Sequence, residues 1–359
     1  MKIDLRIIAH FLLAALFISC SDDSDDMEML SNGDSPNPPP NSISSPDERG
    51  GAPAVWLEDE KEMLFFGGML PITGDTWTFA PESSEWKEIT SLDNQGVPAD
   101  RCHHTLVTDP DNGNVILFGG FSFSGRFNDT WRYDVTNNDW QLINASGTLP
   151  APRCLQVASI LPNRNQMLMY GGVVGGGVVE GDFLGDVFLF DISNQSWEEL
   201  NIFGPGKRRG AISFYSAQED AVFLWGGKSP DSYPADLWKF DPESRDWIAV
   251  STNGDTPTGR EDPAYFFNEE NSSLYIALGY NNSVDGNLVG DAFILDLNTM
   301  VWQRASDPDP RPRWRPSVAF DPETKTGYMF GGWLDFGGNN ALNDTWQFDF
   351  NAQVWEQIQ

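Results

Sequence analysis

The chain has 359 residues, with 22 basic against 53 acidic side chains and a net charge of −31. Phosphate contacts need Lys and Arg, so a body this acidic argues against nucleic acid as a partner. Length alone suggests two or three domains, unless internal repeats make one large unit.

Taken in chain order, Lys2 and Arg6 come first, followed by an apolar stretch from Ile7 to Ile18 that ends at Ser19-Cys20. The stretch is too short to cross a bilayer and fits a cleaved export signal over residues 1–20. Phe17-Ile18-Ser19-Cys20 resembles a bacterial lipobox, with Phe17 where Leu is usual. That resemblance implies lipidation at Cys20 and a membrane anchor; an ordinary signal with an incidental cysteine is the other reading. Residues 21–48 are acidic and Ser/Pro-rich, which predicts an extended tether. The run Ser21-Asp22-Asp23-Ser24-Asp25-Asp26 resembles the export signal of some Bacteroidota surface lipoproteins. An outer-membrane lipoprotein, on the cell surface or beneath it, is what these resemblances imply.

From residue 49 onward three markers recur in order. The first is an arginine: Arg49, Arg101, Arg153, Arg208 or Arg209, Arg260 and Arg313. An apolar strand ending in two glycines follows, as in Leu64 to Gly68; the fifth copy keeps only Gly279, read here as the first glycine of its pair. The third is an Asp with a Trp eleven residues later: Asp75/Trp86, Asp129/Trp140, Asp186/Trp197, Asp236/Trp247, Asp291/Trp302 and Asp344/Trp355. Short β-branched and aromatic runs between Asp-, Asn- and Gly-rich turns predict four strands per copy. In the second copy these are His104 to Val107, Val115 to Phe118, Thr130 to Tyr133 and Asp139 to Ile143. Six small sheets around an axis would bury faces that one sheet cannot.

These residues resemble kelch repeats: Pro152-Arg153, the Gly-Gly after an apolar strand, and Asn128-Asp129-Thr130-Trp131-Arg132-Tyr133-Asp134 closing on Trp140. The resemblance covers 49–359 and implies an all-β, six-bladed β-propeller with four antiparallel strands, A to D, in each blade. How the ring closes is left open between residues near Ser42 to Glu48 and packing of blades one and six alone.

In such a meander the B–C and D–A loops share one face, and the A–B and C–D turns the other. The Asp-to-Trp interval is constant, whereas the B–C loops run to 6, 8, 13, 8, 10 and 11 residues. Variable loops on a rigid scaffold carry function, so the B–C/D–A face is the expected working surface. It holds Phe121, Phe123, Phe127, Phe183, Tyr233, Tyr280, Trp333 and Phe336. The marker arginines fall there too, and Arg49, Arg101, Arg153, Arg209, Arg260 and Arg313, with Phe123 and Trp333, are the candidate ligand-binding residues. A guanidinium ring would suit an anionic glycan or protein partner; pairing with strand carboxylates is the alternative. The repeating Asp is expected to accept hydrogen bonds from a loop at the start of strand C, and each Trp to fill the space between blades. Cys102 and Cys154 occupy equivalent places in neighbouring copies, which leaves a disulfide or two free, half-buried thiols open.

No nucleophile motif, phosphate loop or metal-spaced cluster stands in the sequence, and no cofactor is expected. His103 and His104 are adjacent and cannot supply the copper ligands of galactose oxidase, a kelch-type enzyme; the Glu-x-x-x-Asp-x-x-x-His run of the iron-dependent plant specifier proteins is missing as well. The expected function is therefore a lipid-anchored binding module. The alternative is a mutarotase resembling N-acetylneuraminate epimerase, with Glu261 and Asp262 as the best-placed acids for proton transfer.

Overall fold

The computed structural model describes residues 45–69, 71–89, 96–176, 181–335 and 340–359, all within the unit Ile43–Gln359. The expected export signal, Cys20, most of the expected tether and Phe336 lie outside the described residues. The described chain forms six sheets, each of four antiparallel strands taken in sequence order from one repeat. Blade one is Ala54–Leu57, Glu62–Gly68, Thr73–Ala80 and Glu85–Glu88; blade two is Thr105–Thr108, Val115–Phe118, Thr130–Asp134 and Asp139–Ile143. The A strands of blades three to six are Val157–Leu161, Ile212–Ser216, Ala264–Asn268 and Ser317–Asp321. Blades three and five add a two-residue parallel piece, Ser146–Gly147 and Asn253–Gly254, along the outer edge of strand D. The incoming linker thereby pairs part of an edge that would otherwise be open.

The constant Asp-to-Trp interval has a local cause. Two residues before each Trp, the chain takes a positive φ at Ser84, Asn138, Gln195, Arg245, Met300 and Gln353. One left-handed residue closes a four-residue turn between strands C and D, and an inserted residue would slip the register and turn the Trp to the wrong face. In blade two the turn is further closed by Asn137 N–H on the Asp134 carboxylate at 3.0 Å.

The Trp of strand D packs on strand B of the preceding blade. Trp86, Trp140 and Trp197 sit 4.9, 5.1 and 4.7 Å from the rings of Phe330, Phe66 and Phe118. Three of the indoles also donate to a threonine that follows the marker Asp of that blade: Trp86 to Thr345, Trp140 to Thr76 and Trp197 to Thr130, at 3.0 to 3.1 Å. Blades three, four and five carry Val187, Leu237 and Ala292 at the threonine's place. Accordingly Trp247 and Trp302 leave their buried Nε1–H unpaired, and Trp355 turns to the Tyr275 hydroxyl at 3.0 Å.

Among the described residues no strand is exchanged to close the ring. The peptide N–H of Gly332 in blade six donates to Arg49 O at 2.8 Å, as Gly68 does to Arg101 and Gly120 to Arg153 between interior blades. Ser317 Oγ donates to Ala52 O at 2.6 Å, and Lys61 pairs with Glu323. Neither of the two ways of closure left open by the sequence describes this: Arg49 to Ala52 make the same backbone bonds as every other blade junction.

Candidate functional site

Every marker arginine lies inside its blade, with its guanidinium on the marker aspartate. The pairs are Arg49–Asp75 at 2.7 Å, Arg101–Asp129 at 2.6 Å, Arg153–Asp186 at 2.6 Å, Arg208–Asp236 at 2.8 Å, Arg260–Asp291 at 2.7 Å and Arg313–Asp344 at 2.5 Å. The same guanidinium donates to a carbonyl eighteen residues on: Gly67, Gly119, Gly171, Gly226, Leu278 and Gly331. All six arginines are buried. The aspartate in turn accepts the indole N–H of the Trp two residues on, in Trp77, Trp131, Trp238 and Trp346. The expected donor, a loop at the start of strand C, is thus replaced by the arginine and an indole.

Three sequence readings change as a result. Arg49, Arg101, Arg153, Arg260 and Arg313 form no open guanidinium ring, because each is buried in its blade against a carboxylate and a carbonyl; Arg260 Nη2 alone of these is buried without a hydrogen-bond partner among the described residues. The fourth marker is Arg208, not Arg209. In the fifth blade Gly279 is the second glycine of its pair, bonded to Arg313 O at 2.8 Å, and Leu278 takes the first place with φ 64°.

For Asp75, Asp236 and Asp344, burial alone would raise the carboxyl, but the bond and charge of the paired arginine outweigh it and hold each below the ordinary carboxylate value. The sequence of these contacts, arginine to aspartate to tryptophan, binds strands A, B and C of one blade. An alignment to the KLHDC2/KLHL20/DRC7 Kelch-repeats domain covers residues 32–219 and 212–359.

The chain belongs to the kelch-repeat family. It is 25% identical over 281 residues to the leucine-zipper-like transcriptional regulator 1 homolog of Drosophila melanogaster, covering 73% of this chain and 27% of that protein. It is 24% identical over 339 residues to the N-(sulfonatooxy)prop-2-enimidothioate sulfolyase of Thlaspi arvense, covering 80% and 94%. It is 25% identical over 226 residues to the Rab9 effector protein with kelch motifs of Xenopus laevis, covering 60% and 57%. The kelch chain thus spans well under two thirds of the fly and frog relatives.

One residue beyond each marker lies a second layer of the propeller, Gly50, Cys102, Cys154, Arg209, Glu261 and Trp314, each bridged to the residue after the glycine pair. Here Arg209 Nε meets Glu261 Oε2 at 3.0 Å, with Glu261 fully buried. Burial pushes the Glu261 carboxyl up, and Arg209 opposes it. Cys102 and Cys154 form no disulfide with each other and are fully buried, not half-buried as the thiol reading had it; burial raises both, and Arg126 Nε lies 3.3 Å from Cys154 Sγ. Trp333 is buried against Trp314, with ring centroids 5.4 Å apart.

Two residues beyond the marker, the kelch propeller carries a feature that the sequence did not disclose. Gly51, His103, Leu155, Gly210, Asp262 and Arg315 each donate N–H to the carbonyl of the preceding member, and Gly51 N–H closes on Arg315 O at 3.0 Å. Six positive φ values, from 50° to 72°, make this closed backbone ring around the axis possible. Asp262 Oδ2 accepts Arg315 Nε at 2.7 Å, and Arg315 Nη1 lies 2.9 Å from His103 Nε2. A guanidinium only donates, so Nε2 accepts and the ring proton sits on Nδ1. Glycine is required at 51, where a Cβ would fall 2.5 Å from His103 Nε2. Five residue types occupy these six places, so no residue-type repeat betrays them; only the fixed offset from the arginine would.

On the B–C/D–A face cations lie over the loop aromatics: Arg101 over Phe127 at 4.0 Å, Arg209 over Phe183 at 5.2 Å and Lys228 over Tyr233 at 4.4 Å. Phe127 packs on its own blade, whereas Phe183 meets Arg209 of the next blade and Tyr233 lies 6.4 Å from the Tyr280 ring of blade five. Phe123 differs. It stands at the tip of a hairpin, Phe121–Ser122 with Gly125–Arg126, and is 78% exposed. Beside it a cleft is lined by Pro71, Ile72, Ala99, Asp100, Ser122 and Phe123.

Proposed function

We propose that this kelch propeller is a protein-interaction module that grips its partner on the B–C/D–A face, with Phe123 as the anchor. The observation that carries this reading is the exposed phenylalanine on a hydrogen-bonded hairpin beside an apolar cleft. An aromatic held out by a rigid turn loses little freedom on binding and fills a partner's pocket. Phe203, on the loop from blade three to blade four of the same face, is 97% exposed and extends the surface. The buried arginines do not support an anionic glycan at this face; the shape and apolarity favour protein. Glu261 is sealed against Arg209 and Asp262 is paired with Arg315, so neither acid of the mutarotase alternative stands open on this face.

The module is further proposed to be exported and anchored by lipid at Cys20, on the strength of the lipobox resemblance and the acidic stretch after it. Two measurements test the whole. Proximity labelling from the propeller in its native cells, repeated with Phe123→Ser, should lose its principal labelled protein while far-UV dichroism stays the same; an unchanged labelling pattern sinks the face assignment. Cys20→Ser should move the chain from the detergent phase to the aqueous phase on Triton X-114 partition, and a chain already aqueous with Cys20 intact overturns the anchor.

A further inference from the structure

The axial ring closes one end of a tube. Below it a cavity of about 170 Å3 touches all six A strands, including Ala54, Thr105, Ala158, Ser213, Tyr265 and Val318. A second cavity of about 310 Å3 shares Ala54, Ser213, Tyr265 and Val318 with it and reaches Glu58 and Pro322 in the A–B turns. Above the ring, the layer of Cys102, Cys154, Arg209, Glu261 and Trp314 is buried and seals that side. The tube is therefore blind at the B–C end and leads toward the A–B face.

Its end is chemically lopsided. Asp262 and Arg315 pair there, but the Asp262 side chain keeps 16% of its surface exposed against 1% for Arg315. The arginine also borders the cavity but lies 4.1 Å over the Trp314 ring and is almost wholly covered, and the neighbouring His103 is held neutral by burial and by Arg315. Oδ2 takes the guanidinium, and Oδ1 has no hydrogen-bond partner among the described residues. What the tube meets at its floor is a carboxylate oxygen. Its walls mix the small apolar side chains of Ala54, Ala158 and Val318 with Thr105, Gln156 and Ser213, and Tyr265 offers a ring. The turns at its mouth carry Glu58, Asp59, Glu60, Asp111, Glu219, Asp220, Glu269, Glu270 and Glu323 against Lys61, Arg164 and Lys325. A rim of one sign focuses the opposite charge inward.

We propose that the tube binds a small linear organic ammonium, with one ammonium on Asp262 and the alkyl chain along the A strands. From Asp262 to the end of strand A at Asn268 is about 20 Å at ~3.3 Å per residue. A lysine side chain reaching in from a docked protein is far shorter than that, so the ligand is a free amine. A pocket of ~150 Å3 accepts a molecule the size of benzene, and 1,4-diaminobutane has a similar number of heavy atoms. This site is independent of the B–C face.

Calorimetric titration of the full chain with 1,4-diaminobutane tests it, with butane-1,4-diol as the neutral match. The diamine is expected to bind one to one and the diol not at all. Asp262→Asn should weaken the diamine at least tenfold. Because that change also strips Arg315 of its partner, Ala158→Leu is the second variant; it fills the tube without touching the pair and should abolish binding. Phe123→Ser should leave binding unchanged. No heat with the diamine, equal binding of the diol, or diamine binding that survives Ala158→Leu each overturns the proposal, the last because it would place the amine on the acidic surface.

Discussion

Leu278 shows how a single residue can sit against its own backbone preference. It holds φ 64° where the other five blades use glycine, and its side chain is fully buried among Phe266, Ala277, Ala292 and Met329. A left-handed conformation costs a leucine roughly 1–2 kcal/mol, while burying the side chain returns roughly 1.5–3 kcal/mol. Packing wins by a narrow margin, so Leu278→Gly is expected to lower stability by about 1 kcal/mol in urea unfolding instead of relieving strain. Sequence reading placed Gly279 first in its pair because a leucine does not announce a positive φ. Arg208 and Arg209 are likewise indistinguishable as letters; the bonds of Arg208 to Gly226 O and Asp236, against that of Arg209 to Glu261, separate them.

At the level of the blade, the Asp-to-Trp element was legible because it is governed by local geometry: a fixed turn, a left-handed residue and an indole that must land in one slot. What the indole donates to was not legible, since that partner belongs to the neighbouring blade. Two substitutions of opposite sign follow. Thr130→Val leaves Trp197 Nε1 buried without an acceptor and should cost about 1–3 kcal/mol. Val187→Thr places a hydroxyl where Trp247 Nε1 lacks one, and should raise the melting midpoint by the equivalent of about 1 kcal/mol. Equal shifts of the same sign in both would refute the slot argument. Removing the whole indole is more severe: Trp197→Ala should cost about 3–5 kcal/mol through lost packing on Phe118 and Phe190.

Across the whole propeller, acid should act in two stages. His103 and His104 are fully buried, and burial holds both well below their ordinary value, with Arg315 adding to the effect on His103. Depressed histidines favour the folded chain above the unfolded value of about 6.5 and withdraw that support as pH falls, by up to about 1.4 kcal/mol per unit for each. A steeper loss should begin below about pH 4, where the depressed carboxyls of Asp75, Asp236 and Asp344 take up protons in the unfolded chain first. Denaturant midpoints at pH 7.5, 5.5 and 4 measure both stages, and His104→Phe should shrink the first step by about half. A flat profile between pH 7.5 and 5.5 would mean that the histidines are not held neutral. The blade count and the scaffold face were readable because they rest on repetition; the blind tube was not, because its floor is assembled from six residues that share only a position.

The backbone ring around the axis also sets an order of events in synthesis. Its last link joins Gly51 to Arg315, and the nearby Ser317 to Ala52 bond spans 265 residues. A ribosome that has delivered five blades has produced an arc whose first edge still lacks its partner. Folding to a closed disc therefore waits on the final repeat, and a chain truncated within blade six should remain an open, protease-sensitive arc instead of a smaller propeller.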